Sequence, residues 1–227
     1  MRTLIAWSGG KDSALALGAL RANSSCEIVG VLTSVTRVYD RVSMHGIRRS
    51  ILRAQAERLR LPLFEALLDQ SADNEQYESA WATALGQARA IVGDIDSVAY
   101  GDLFLEDVRA FRERQCACLG VTPLFPLWGR STKELAPRAA SQLTAYLTCI
   151  DTTQLDASFA GRRYDAALLA DLPPAIDPCG ERGEFHTCVV QAPVYDRPIM
   201  VEKGEQVLRD NRFAYCDFHL VEGSPEG

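Results

Sequence analysis

Apolar positions come in short runs separated by polar, glycine-bearing turns, and the period of the runs alternates along the first 150 residues. Residues 3–7 are continuously apolar and stop at Ser-Gly-Gly, which predicts a buried strand followed by a tight turn. Residues 13–22 are rich in Ala and Leu and predict a helix. Residues 27–35 are β-branched and predict a second strand. The same logic gives helices over 47–59, 75–92, 107–119 and 131–143, and strands over 61–68, 97–100, 121–125 and 146–150. Ser131, Thr132, Lys133 and Glu134 read as a capping-box start for the last of these helices.

Such alternation predicts an α/β fold: an open, mostly parallel sheet with helices on both faces, spanning 1–150. In such sheets ligands bind beyond the carboxyl ends of the strands. After residue 150 the texture changes to a short helix over 165–172, a Pro/Gly-rich loop over 173–183, and strands over 185–192, 198–201 and 213–221. This predicts a small α+β annex over 151–222 as a substrate-binding unit, with 223–227 as a tail.

Composition changes this picture little. The chain has 227 residues, 47% of them hydrophobic, enough for one large domain or a medium domain with an annex. No run of about 18 or more apolar residues occurs, and the N-terminal apolar stretch is too short for a signal-peptide core, so a cytoplasmic protein is expected. The net charge of -6 argues against a broad nucleic-acid footprint. Seven scattered cysteines without a C-x-x-C pair are expected to be reduced, inert thiols.

The candidate chemistry begins at Ser8, Gly9, Gly10, Lys11, Asp12 and Ser13, between the first strand and its helix. Glycines let backbone N–H groups approach phosphate oxygens, and the helix presents its positive end to the anion. Lys11 can add a point charge and the serines hydroxyl donors. Asp12 fits the loop if a Mg²⁺ ion bridges it to phosphates. A Walker A loop would require Gly at position 5 and Ser or Thr at 12, where this chain has Ile5 and Asp12. Gly101 and Asp102 end a strand on the same sheet edge, with Asp102 a second candidate for Mg²⁺ or substrate and Glu106 for substrate. In residues 180–187, Gly180, Glu181, Gly183, Glu184, His186 and Thr187 form a glycine-bounded loop able to position an amine, hold Mg²⁺ or take a proton. His45 is a further candidate for substrate contact. Arg109 and Arg112 read as surface helix charges, and Trp128 and His219 as packing and strand residues.

The Ser-Gly-Gly-Lys-Asp-Ser segment resembles the signature of the PP-loop ATP pyrophosphatases. Further segments are similar to the diphthine–ammonia ligase branch of that superfamily: Ser43-Met44-His45-Gly46, Tyr100-Gly101-Asp102, Pro126-Leu127-Trp128-Gly129, and Gly180-Glu181-Arg182-Gly183-Glu184-Phe185. The resemblance implies an adenine nucleotide alpha hydrolase-like (HUP-type) fold that uses ATP and Mg²⁺. The acceptor would be a carboxylate on a small molecule or on a modified protein side chain, in that branch a modified histidine of elongation factor 2. It would be adenylylated and then joined to ammonia or an amine, releasing AMP and pyrophosphate. On this basis Lys11, Asp12, Glu184 and His186 are expected to be catalytic. A PP-loop group transferase acting on a nucleotide, RNA or other small metabolite, and a nucleotide sensor without turnover, stay open as alternatives, as do the acceptor's identity and homo-oligomerisation.

Overall fold

The computed structural model describes residues 1–22 and 25–221. In chain order the elements are β1 (Arg2–Ala6), α1 (Lys11–Arg21), β2 (Glu27–Thr36), β3 (Arg41–Val42), α2 (Arg49–Leu59), β4 (Leu63–Leu68), α3 (Asn74–Val92) and β5 (Ser97–Ala99). They continue with α4 (Glu106–Leu119), β6 (Thr122–Leu124), α5 (Thr132–Gln142), β7 (Thr144–Asp151), α6 (Ala166–Asp171), β8 (Phe185–Gln191), β9 (Val201–Arg209) and β10 (Phe213–Leu220).

Among the described residues one sheet runs β4-β2-β1-β5-β6, all parallel, with the short β3 added antiparallel to the end of β2. The first strand is therefore central, and the chain winds outward on one side through β2 and on the other through β5. This reversal opens a crevice beyond the ends of β1 and β5. Both sheet faces are covered, as the runs of continuous apolar residues require. Ile5 and Val31 face α1, α2 and the second sheet through Leu17, Ile51 and Val189. Their neighbours Leu4 and Leu32 face α3 and α4 through Trp81, Leu85 and Cys116.

The second sheet, β8-β7-β10-β9, is antiparallel throughout. It contains β7, which the sequence pattern had assigned to the first sheet: Tyr146 pairs with Cys188 and Cys149 with Tyr215. The change of sheet thus falls between β6 and β7 rather than at residue 150. The expected tail, 223–227, lies outside the described residues.

One local expectation fails for an identifiable reason. At the start of α5 the Ser131 side chain makes no cap, and the Thr132 hydroxyl instead donates to Asp177 Oδ2 at 2.8 Å. A complete capping box forms on α3, where Asp73 and Gln76 exchange hydrogen bonds of 2.8 and 3.0 Å. All seven cysteines are free thiols, five of them buried. Among the described residues no helix is long and apolar enough to cross a membrane.

Candidate functional site

The turn after β1 is held from three sides. Gly9 takes φ +78°, which a side chain would strain, and its carbonyl accepts from Val189 N at 2.9 Å and Gln55 Nε2 at 3.0 Å. Gln55 also accepts from Trp7 Nε1 at 2.9 Å and donates to Val189 O at 2.8 Å. One buried amide thus fastens the loop to both α2 and β8. Lys11 N donates to Thr187 Oγ1 at 3.1 Å, so the first turn of α1 is docked on β8. On the other flank Gly101 presses against α1: a Cβ there would lie 2.8 Å from the Asp12 carbonyl carbon and 3.0 Å from Ser13 N.

A cavity of about 440 Å³ opens at this point. Ser8, Asp12 and Ser13 line it from the loop, Gly101 and Asp102 from the end of β5, His45 from the β3–α2 connection, and Gly180, Glu181, Gly183 and His186 from the second sheet. Residues from four segments predicted separately therefore meet in one space. A larger cavity of about 740 Å³ lies between β4 and α3, but none of the candidate residues lines it, so size alone does not locate the chemistry.

Four expected residues are placed otherwise. Lys11 is buried and does not line the cavity, its ammonium donating to Asp12 Oδ2 at 2.8 Å and to the Cys179 carbonyl. Burial opposes its charge, but Asp12 foremost outweighs burial and raises its pKa above the usual lysine range. Glu184 is buried as well. Its carboxylate accepts from Asp177 N at 2.8 Å and Arg182 N at 2.9 Å, bonds that shape the loop and occupy both of its oxygens, and Glu184 does not line the cavity. Thr187 is occupied by Lys11 N, and Glu106 is exposed in the first turn of α4, away from the cavity. Replacing Glu184 with glutamine puts an amide N–H against an N–H that needs an acceptor. We expect this to cost about 1–3 kcal/mol of stability, read by urea unfolding, while the pH profile of turnover keeps its shape.

Three residues carry more than their sequence context suggested. Gln55 is a polar position on the apolar face of α2, the one signal by which it was discoverable. Arg112, read as a surface charge, lies in the cavity wall, its Nη1 donating to the Tyr77 hydroxyl at 2.9 Å. Glu181 Oε1 accepts from Leu103 N at 2.7 Å and so ties the second-sheet loop to the end of β5. Burial, with help from Asp12 and Asp102, pushes Glu181 up to about 7.

The electrostatics divide the cavity. Asp12 Oδ1 and Asp102 Oδ2 are buried and have no hydrogen-bond partner, and burial and then the neighbouring Asp12 raise Asp102. Two unpartnered carboxylate oxygens fit a Mg²⁺ ion, which takes one or two protein carboxylates and completes its shell with phosphate and water. No group of three His, Cys, Asp or Glu among the described residues forms a metal cage, which a phosphate-bridged Mg²⁺ does not require. The rings of His45 and His186 lie 4.4 Å apart. Burial lowers both, His186 to about 4, so the pair is neutral at pH 7. Cys179 is pushed up to about 12 by burial, which keeps its thiol protonated and unsuited to sulfur transfer.

A 125-residue stretch, 51% of the chain, is 25% identical to the diphthine–ammonia ligase of Mus musculus and equally to that of Rattus norvegicus. The chain spans about half the length of these curated relatives, with 45% of each covered. The solved structure of a predicted subunit of tRNA methyltransferase from Methanocaldococcus jannaschii aligns at 16% identity with a TM-score of 0.42, over 85% of this chain and 97% of that one. The family model for the diphthamide synthase N-terminal domain matches residues 1–123, and that for the C-terminal domain matches residues 131–220. With both models matched in order over most of its length, the chain belongs to the diphthamide synthase family.

Proposed function

We propose that this protein is an ATP-dependent ligase that adenylylates a carboxylate and joins it to ammonia or an amine, releasing AMP and pyrophosphate. The observation that carries this is one cavity walled by the phosphate loop, two unpartnered carboxylate oxygens and the loop of Glu181. Residues Ser8, Gly9, Gly10 and Ser13 would hold the phosphates, aided by the N–H groups that the first turn of α1 leaves without helical acceptors. Asp12 and Asp102 would hold Mg²⁺, which when bound neutralises phosphate charge. His45, Gly180, Gly183 and His186 would border the acceptor. The carboxylate attacks the α-phosphorus as pyrophosphate leaves; the amine then displaces AMP and surrenders a proton to a base in the cavity. The names of its curated relatives support diphthine as the acceptor and ammonia as the nitrogen donor.

Incubation with ATP, Mg²⁺, ammonium and diphthine-bearing or small carboxylate acceptors is expected to yield AMP and pyrophosphate on chromatography. ADP as the main product would remove the PP-loop assignment. ATP binding without turnover on any acceptor would favour a sensor.

A further inference from the structure

Arg112 stands out in the cavity wall because its partners are incomplete. Its guanidinium lies 5.0 Å from the ring centre of Tyr100 and 5.8 Å from that of Phe111, and the Tyr77 hydroxyl takes Nη1. These contacts fix the group's position on α4. Its Nε is buried and without a hydrogen-bond partner. The carboxylate beside it, Asp102, has Oδ2 3.9 Å away, beyond hydrogen-bond reach, and that oxygen is itself unpartnered. A buried N–H of a guanidinium ordinarily meets an acceptor directly, so this edge of Arg112 is held for something else.

The position of Arg112 says what that is. An adjoining cavity of about 450 Å³ shares Met44, Tyr77, Val108 and Arg112 with the first and includes no residue of the phosphate loop. Arg112 therefore marks the junction between the phosphate-loop space and a second space large enough for another molecule. Arginine suits a planar two-oxygen anion, and a carboxylate is such a group.

We propose that Arg112 holds the acceptor's carboxylate at this junction and so selects a carboxylate-bearing molecule, an inference that rests on the ligase function above. One carboxylate oxygen forms the new bond to the α-phosphorus while the bond to pyrophosphate breaks. The other stays with Arg112 and becomes the acyl carbonyl oxygen of the adenylate.

The test uses the full chain with Mg²⁺ and two probes in calorimetry: AMP, and 5′-O-(N-acetylsulfamoyl)adenosine as an acyl-adenylate mimic. Arg112→Gln is expected to weaken the acyl mimic about tenfold or more while leaving AMP within about twofold, the loss typical of one charge-assisted contact. Arg112→Lys, which keeps the charge without the fork and guards against misfolding of the glutamine variant, is expected to fall between. Equal weakening of both probes would make Arg112 a phosphate ligand and overturn the proposal. Unchanged affinity for both would leave it a wall residue paired with Asp102 and overturn it equally. A parent protein that binds neither probe would instead refute the ligase function itself.

Discussion

Replacing Lys11 with methionine is expected to destabilise the protein by about 3–5 kcal/mol, the usual cost of removing one partner from a buried charged pair. Its side chain is 2% exposed, against 28% for Asp12, and its ammonium bridges Asp12 on α1 and the Cys179 carbonyl of the second-sheet loop. The rings of Tyr164 and Phe185 lie 5.6 and 5.5 Å from the ammonium and complete its surroundings. Methionine fills the same volume, so the loss comes from the uncompensated Asp12 carboxylate and the abandoned carbonyl, not from a cavity. For a chain of this size the melting temperature should fall by on the order of 10 °C. From its loop position alone, Lys11 would be a phosphate contact whose loss spares stability. An unchanged melting temperature with lost ATP affinity would restore that role and sink the present one.

Lys11 also shows where sequence reasoning runs out. Its place at the start of a helix after a glycine turn was legible, because strand, turn and helix are local patterns. Its partner lies 168 residues away, and nothing in residues 8–13 points to Cys179. The same holds for β7: an apolar, β-branched strand reads alike in a parallel core and in an antiparallel sheet, and its assignment waits on pairing with residues 185–191 and 213–215. Glu181 and Glu184 share a glycine-bounded loop, and the family resemblance put the catalytic role on Glu184 rather than on Glu181. Only the backbone path separates them, turning Glu184 inward onto Asp177 N and Arg182 N and Glu181 outward onto Leu103 N. Arg112 followed the ordinary expectation for a helix arginine, and the turn of α4 that buries it beside Tyr77 is set by tertiary packing. The gathering of the phosphate loop, Gly101 and Asp102 at one edge was fully legible, because strand order alone decides which ends converge.

Glu181→Gln is expected to reduce turnover by about 10²–10⁴-fold, the cost of losing a placed proton carrier. Proton transfer is most effective when the carrier's pKa lies near the working pH. Glu181, at about 7, meets this condition, whereas His186, at about 4, does not. On the ligase function proposed above, we propose that Glu181 takes the proton given up by the attacking amine. In the parent protein turnover should rise with pH as Glu181 ionises around 7, and in the glutamine variant that limb should vanish. His186→Ala should lose less rate and keep the limb. Stability supplies an independent reading, measured by urea unfolding in Mg²⁺-free buffer. The folded-state pKa of Glu181 is raised, so the folded protein binds the extra proton between the ordinary carboxyl value of 4.5 and about 7. Its contribution is present at low pH and is lost as pH rises through that window. His45 and His186 are lowered from 6.5, so theirs is present above 6.5 and is lost as pH falls toward about 4, the value His186 reaches. The two slopes oppose each other between pH 4.5 and 6.5 and flatten the parent's profile. Glutamine mimics the protonated acid and cannot ionise, so Glu181→Gln should gain stability over the parent as pH rises from about 5 to 8. Parallel pH–stability curves for parent and variant would show that Glu181 ionises as an ordinary carboxyl and remove it from the proton transfer.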